Sequence, residues 1–304
     1  VAPLRFGLLG TGYWALHVHG TALTSSPQAR LEGVWGRDPA KTHDLATRLR
    51  TKGYEDLDEL LASVDAVSIA LPPDVQADLA VRAARAGRHL LLDKPLALDL
   101  SSAQAVVEAV DQSGVAAIVF FTQRFRPDLE DWMNSAAEAG PWHSARLVHY
   151  ANIFGPGSPY SASEWRKQYG ALWDIGPHSL AALLPLMGKV TSVAARRGPT
   201  GSDTVQVVLS HAPLSATSAL SLSLTMPPAA TTSQLVLYGE HGARLRPEGS
   251  FEAVDAFGAA INELTALAGS GVRAHRCDVH FGLEVVEVLV AAERALELPG
   301  VELE

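Results

Sequence analysis

Residues 7–15 read "GLLGTGYWA", and the fold turns on what this stretch is. The apolar run "LRFGLLG" begins at Leu4 and leads into it, and "YWALHVHGTAL" after it reads as a helix. Gly10, Gly12 and Ala15 thus set the pattern G-x-G-x-x-A at a strand-to-helix turn. Gly10 permits the tight turn, Gly12 lets a pyrophosphate approach the backbone, and small Ala15 lets helix and strand pack closely, with the helix N-terminus facing the anion. Thr11 lies in the same turn, and the bulky Tyr13 and Trp14 either roof a cofactor or pack the first helix. Two glycines alone are an ordinary turn, so the residues downstream decide.

Downstream, short apolar runs alternate with amphipathic ones as far as Phe121. "RLEGVW", "DAVSIAL", "RHLLLD" and "AAIVFF" read as strands; "PAKTHDLATRL", "VQADLAVRAARAG" and "SSAQAVVEAVDQSG" read as helices. Near-continuous apolar strands separated by helices indicate a parallel sheet buried on both faces. After about Arg124 the rhythm changes: "ARLVHYANIF" looks like a strand and "ALWDIGPHSLAALLPLMG" contains a helix. "VTSVAARR", "TVQVVLS", "ATSALSLSL", "SQLVLYG" and "GARLRP" then follow with no helix between them. "FEAVDAFGAAINELTALAG" and "FGLEVVEVLVAAERAL" close the chain as amphipathic stretches. The expected fold class is α/β: a doubly wound Rossmann sheet over residues 1–121, then an α+β domain on an open, largely antiparallel sheet over residues 122–304.

Length and charge agree with this division. At 304 residues the chain exceeds what one core usually holds, and 47% hydrophobic residues suffice for two. No apolar run approaches the ~20 residues of a membrane helix, and nothing before Leu4 reads as a signal peptide. The net charge of −9 disfavours nucleic acid as a partner, and the single cysteine, Cys277, rules out an internal disulfide and fits a cytoplasmic protein.

The end of the second strand bears on the cofactor. An acidic residue there accepts hydrogen bonds from the ribose hydroxyls of NAD. The chain reads "VWGRDP", with Gly36 in the acidic place and Arg37 after it. Glycine leaves room for a phosphate and arginine can pair with it bidentately, which favours NADP over NAD. Asp38 either turns inward to take the acidic role or caps the helix that starts at Pro39.

Two further strands end in "ALPPD" and "LLLDKPL", and "WDIGPH" follows later. With "GTGYWA", these segments resemble the Gfo/Idh/MocA oxidoreductases, named for glucose–fructose oxidoreductase and inositol dehydrogenase. The similarity runs along nearly the whole chain. Asp93-Lys94-Pro95 corresponds to the family's E-K-P motif and Asp174-Ile175-Gly176-Pro177-His178 to its D-x-G-x-H motif. The chain departs from the family in three places: Asp93 stands for Glu, Gln76 for the histidine of T-P-P-x-x-H, and Thr122 for the asparagine of N-x-R-F-x-P. The resemblance implies a dinucleotide domain followed by a sheet domain that often mediates oligomers, hence a homodimer or homotetramer through the C-terminal sheet.

The chemistry these residues permit is hydride transfer between a nicotinamide and the hydroxyl or carbonyl carbon of a sugar, cyclitol or similar polyol or ketone. A histidine takes the proton, a lysine stabilises the alkoxide and an aspartate orients. The resemblance assigns these roles to His178, Lys94 and Asp174. Four residues apart on a helix, Asp174 and His178 share a face, Gly176 keeps a cleft open between them, and Pro177 is tolerated in a first helical turn. From the residues alone, Asp174 is also a good N-cap and His178 a satisfied structural histidine. Leu71, Pro72, Asp93 and Lys94 join the glycine turn, Gly36 and Arg37 as cofactor contacts, and Gln123, Trp165 and Arg166 are candidates for substrate. "HVH" at His17 and His19 lies on a helix where alternate residues diverge. "HRCDVH", residues 275–280, reads as a loop with a helix cap, so no metal is expected. The alternative function is a non-catalytic dinucleotide-binding regulator on the same scaffold.

Overall fold

The computed structural model describes residues 2–249 and 251–298. They form two compact units: residues 2–126 with 251–286, and residues 127–249 with 287–298.

In the first unit, β1 (Leu4–Leu9) leads through a π-helical turn (Ala15–Gly20) into α1 (Thr21–Ser25). β2 (Ala29–Trp35), α2 (Pro39–Leu49), β3 (Lys52–Tyr54), α3 (Leu57–Ser63), β4 (Ala66–Ile69), α4 (Pro73–Arg85), β5 (His89–Asp93), α5 (Leu100–Ser113) and β6 (Ala117–Phe120) follow. All strands pair in parallel in the order β3-β2-β1-β4-β5-β6. The order reverses between β1 and β4, which makes the carboxyl ends of those strands the place where such sheets take ligands. Phe6, Leu8, Val67, Ile69, Leu90, Leu92, Ile118 and Phe120 are all fully buried, as expected of strands covered on both faces. Asp38 caps α2, accepting from the amides of Ala40 (3.0 Å) and Lys41 (3.2 Å), a contact that typically contributes about 1 kcal/mol. β3 and α3 lie beyond the sequence reading. "KGY" is too short to show a strand pattern, whereas Asp56, which caps α3 through the amides of Asp58 and Glu59, is a helix signal that the reading passed over.

In the second unit, α6 (Pro127–Glu138), β7 (Trp142–Tyr150), α7 (Glu164–Asp174) and α8 (Gly176–Met187) precede β8 (Val190–Arg197), β9 (Val205–His211), β10 (Ala216–Ser223), β11 (Thr232–Gly239) and β12 (Gly242–Leu245). The sheet order is β12-β11-β7-β10-β9-β8, antiparallel except for the parallel β7–β10 pair. Burial alternates along β9, so one face of this sheet is covered and the other open. α8 lies on the covered face against β7 and β10.

Residues 122–126 and 251–286 join the first unit, not the second as the boundary at 121/122 implies. α9 (Ala253–Ser270) packs on the π turn, α1, β5 and β6. Its Phe257 ring sits edge-on to Phe120 at 4.8 Å, and Ile261 and Leu264 are fully buried. The apolar stripe of α9 finds its cover on the parallel sheet, a match that spacing in the sequence does not reveal. α10 (Val279–Ala295) begins in the first unit and ends in the second. No helix among the described residues is long and apolar enough to cross a membrane.

Candidate active site

The residues expected to face a nucleotide lie in the glycine turn and at or just beyond the carboxyl ends of β2, β4 and β5. Gly10 ends β1 with φ +126°, and a Cβ there would meet the Ala70 carbonyl oxygen at 2.3 Å. Its amide donates to Trp35 O at 2.9 Å, which draws the turn in between the ends of β2 and β4. A Cβ on Gly12 would meet nothing within 4 Å, so this glycine serves no packing and leaves the outer side of the turn open to an approaching group. Ala15 is fully buried beneath it. Trp14 is half-buried, while Tyr13 is exposed and lies against His17, with ring centroids 4.2 Å apart. Leu71 and Pro72 are half-buried at the end of β4, where Pro72 is the N-cap residue of α4.

The end of β2 departs from expectation in its reason. A Cβ on Gly36 would approach Thr11 Cγ2 at 2.6 Å, so glycine is needed there to admit the neighbouring turn, whether or not it leaves room for a phosphate. Asp38 is committed to the α2 cap and Arg37 is exposed.

At the end of β5, Asp93 and Lys94 are half-buried, the Lys94 amide donates to Asp93 Oδ1 at 2.8 Å, and the Lys94–Pro95 peptide is cis. Gln76 is buried and bonded to the backbone of Asp93 and Pro95. His19, which the sequence reading set aside, sits directly behind Asp93. It is fully buried, its Nδ1 is 2.8 Å from Ser68 Oγ, and its Nε2 is 3.9 Å from Asp93 Oδ2. Burial pushes its pKa down to about 3, so the ring is neutral and the Asp93 contact is not an ion pair. The Thr122–Phe125 turn follows β6; Thr122 and Arg124 are buried in it, as is Arg126 just after it, and Gln123 is half-exposed.

"HRCDVH" is structural. His275 Nε2 (2.7 Å) and Arg276 Nη2 (2.9 Å) bind the Glu263 carboxylate of α9, and Arg276 also donates to Arg124 O at 2.8 Å. Burial alone would raise the Glu263 pKa, but these hydrogen bonds and charges prevail and hold it below the usual range. Asp278 accepts from the amide of Phe281 at the start of α10, the helix cap expected there. Among the described residues no group of three or more His, Cys, Asp or Glu side chains is placed to hold a metal ion.

In the second unit the D-x-G-x-H segment bridges two helices rather than lying on one. α7 ends at Asp174, Ile175 intervenes, and α8 starts at Gly176 with Pro177 in its first turn. Asp174 is therefore not the cap of α8. Its buried carboxylate accepts from Arg166 Nε at 3.1 Å, and the Arg166 guanidinium lies against the rings of Tyr160 (4.4 Å) and Trp165 (4.6 Å). Gly176 does not open a cleft either. It is buried, and a Cβ there would meet Leu289 Cδ2 at 3.0 Å and Leu222 Cδ1 at 3.7 Å, so it lets α8 start close to the sheet and α10. From Ala171 to Leu184 every residue is buried except His178, which is half-exposed. One imidazole thus reaches the surface from an otherwise packed segment. His149, on β7, lies 3.4 Å from Ser179 Oγ beside it, a neighbour that the sequence reading did not mark.

Comparison with known proteins agrees with both halves. A family model described as "Oxidoreductase family, NAD-binding Rossmann fold" matches residues 4–121, and the C-terminal domain model of the same GFO/IDH/MocA group matches residues 136–244. The chain is 37% identical over 128 residues to inositol 2-dehydrogenase of Rhizobium meliloti, covering 41% of this chain and 38% of that protein. It is 28% identical over 208 residues to the uncharacterized yeast protein YMR315W, covering 64% and 58% respectively. These alignments span roughly two-fifths to three-fifths of the relatives' length. Among solved structures, GenD2 from gentamicin A biosynthesis, in complex with NAD, has the same fold, with a TM-score of 0.83 at 24% identity over 97% of this chain and 94% of that one.

Proposed function

Since the chain belongs to the GFO/IDH/MocA oxidoreductase family, we propose that it is an NAD(P)-dependent dehydrogenase or reductase of a sugar, cyclitol or similar small polyol. The observation that carries this reading is the glycine turn, where Gly10 is forced by Ala70 while Gly12 is left bare toward the outside. The relative named inositol 2-dehydrogenase supports a cyclitol or sugar as substrate.

A bound nicotinamide supplies the hydride acceptor or donor; the chain supplies the rest. The amides of the Gly10–Gly12 turn and the helix start hold the pyrophosphate. His178 takes the hydroxyl proton during oxidation and returns it during reduction. The Lys94 ammonium stabilises the developing alkoxide. Asp174, held by Arg166, presents its carboxylate to a substrate hydroxyl. Gln123, Trp165 and Arg166 are the candidates for further substrate contacts.

NADP is the preferred cofactor on this reading, because Arg37 is exposed at the end of β2 and the adjacent carboxylate, Asp38, is spent on the helix cap. Greater thermal stabilisation by NADP than by NAD supports it, and the reverse refutes it. Arg37→Ala should weaken NADP about 10- to 100-fold, the worth of a charge-assisted contact, and leave NAD unchanged.

Turnover is tested by nicotinamide absorbance with NADP or NAD and a panel of inositols and sugars. Lys94→Ala or His178→Ala should abolish it, and full activity in both variants overturns the assigned roles. Cofactor binding with no turnover of any panel member, alongside a stable protein partner, favours a regulator instead. The open face of the second sheet carries the cross-strand row Ala194, Val208, Ala219, Arg146, Val236 and Leu245, and we assign it to self-association.

A further inference from the structure

We propose that Gln76 is a positioning residue for Lys94: its buried carboxamide fixes the backbone on both sides of the lysine and so sets the direction in which the ammonium leaves the sheet. The proposal rests on the role given to Lys94 above.

The ladder of β5 ends at Asp93, which is the last residue paired with β6. The chain then runs through Lys94 into Pro95, Leu96 and Ala97, all three buried. Buried peptide groups that have left a ladder need other partners. Gln76, on α4 and only 1% exposed, supplies them. Its Nε2 donates to Asp93 O at 2.7 Å and to Pro95 O at 2.9 Å, and its Oε1 accepts from the Asp93 amide at 3.0 Å.

The two carbonyls so held belong to the residues immediately before and after Lys94. The lysine amide is held as well, by Asp93 Oδ1 at 2.8 Å. With the peptide groups on both sides anchored, the Cα–Cβ bond of Lys94 has a fixed heading. A carboxamide suits this task because it combines two N–H donors with a carbonyl acceptor and carries no charge. Glutamate keeps the acceptor but turns an oxygen toward two carbonyls. Histidine supplies one donor and one acceptor. Because both Nε2 protons are committed to the backbone, Gln76 acts through Lys94 and not by donating to cofactor or substrate.

The test compares Gln76→Glu, nearly the same size, and Gln76→His with the unaltered protein. The chain has five lysines, Lys41, Lys52, Lys94, Lys167 and Lys189. Competitive labelling with acetic anhydride across pH, read by peptide mapping, reports each ammonium separately. In Gln76→Glu the labelling profile of Lys94 should shift at least about 5-fold relative to the other four. With any panel polyol that turns over, kcat should fall about 10- to 100-fold, the loss expected when a reacting group is displaced by about 1 Å, while NADP affinity stays within about 2-fold. Gln76→His should recover part of both effects. Labelling of Lys94 and kcat both within about 2-fold of the unaltered protein, in either variant that folds, overturn the proposal. So does a fall in cofactor affinity as large as the fall in kcat, which marks a general loss of structure. Lys94→Ala separates the two ideas: full turnover in that variant removes the catalytic role of Lys94, whereas the labelling of Lys94 still judges the clamp.

Discussion

Lowering the pH should loosen the first unit, with His19 as a main contributor. His19 is fully buried between Ser68 and the Phe257 ring, 4.0 Å away, and burial takes its pKa from 6.5 to about 3. An unfolded chain accepts a proton on this histidine below about pH 6.5, while the folded chain refuses it until about pH 3. The folded state therefore has its full stability above pH 6.5 and loses ground as the pH falls toward 3. At about 1.36 kcal/mol per pH unit, moving from pH 7 to pH 5 costs about 2 kcal/mol for this residue. His89 and His211, also lowered by burial, add to the total slope, so the measurement must be a difference. His19→Asn can keep the hydrogen bond to Ser68 but cannot titrate. Urea unfolding of both proteins at pH 7 and pH 5, followed by reaction of buried Cys277 in the same unit with dithiodipyridine, gives the two slopes. The variant should lose about 2 kcal/mol less than the parent over that interval. Equal losses in the two proteins would mean that the buried ring is protonated in the folded state, and the assignment of a neutral His19 behind Asp93 would be wrong.

Two other outcomes follow from the packing. Gly36→Ala places a Cβ 2.6 Å from Thr11 Cγ2, so it should destabilise by about 1–3 kcal/mol, the usual range for overpacking. Thr11→Ser in the same protein removes that methyl and should restore most of the loss, and thermal melts of the four proteins in this cycle check both statements. Val208, 48% exposed near the middle of the open sheet face, should tolerate Asp within about 0.5 kcal/mol in a monomer. If that face joins copies, Val208→Asp should lower the mass measured by light scattering without lowering secondary structure.

The readable parts of this chain were those governed by local patterns. Apolar runs located β1, β2, β4, β5 and β6, and the glycine turn marked the carboxyl edge of the parallel sheet. β3 escaped because three residues carry no periodicity, and the π turn at Ala15–Gly20 escaped because an extra residue per turn leaves the composition unchanged. The motifs singled out positions to which the fold gives other reasons. Gly36 answers to Thr11, Gly176 to Leu289, and Asp174 to Arg166 eight residues earlier, on the far side of the Gly170 kink (φ +63°). Each of these is a neighbour that only the folded path brings close. The place of His19 is illegible in the sequence on the same ground: its neighbours, Ser68 and Phe257, lie on distant segments.

The allegiance of α9 has a consequence for how the protein is made. A ribosome releases residues 2–126, then all of 127–249, before the helix that walls one side of the first sheet emerges. At ~5–20 residues per second that interval lasts roughly 6–25 s, during which Phe120 lacks its native neighbour Phe257. The nascent first unit is an unfinished layer for that time, open to chaperones and proteases. A gene fragment cut after residue 126 would leave it in that condition permanently.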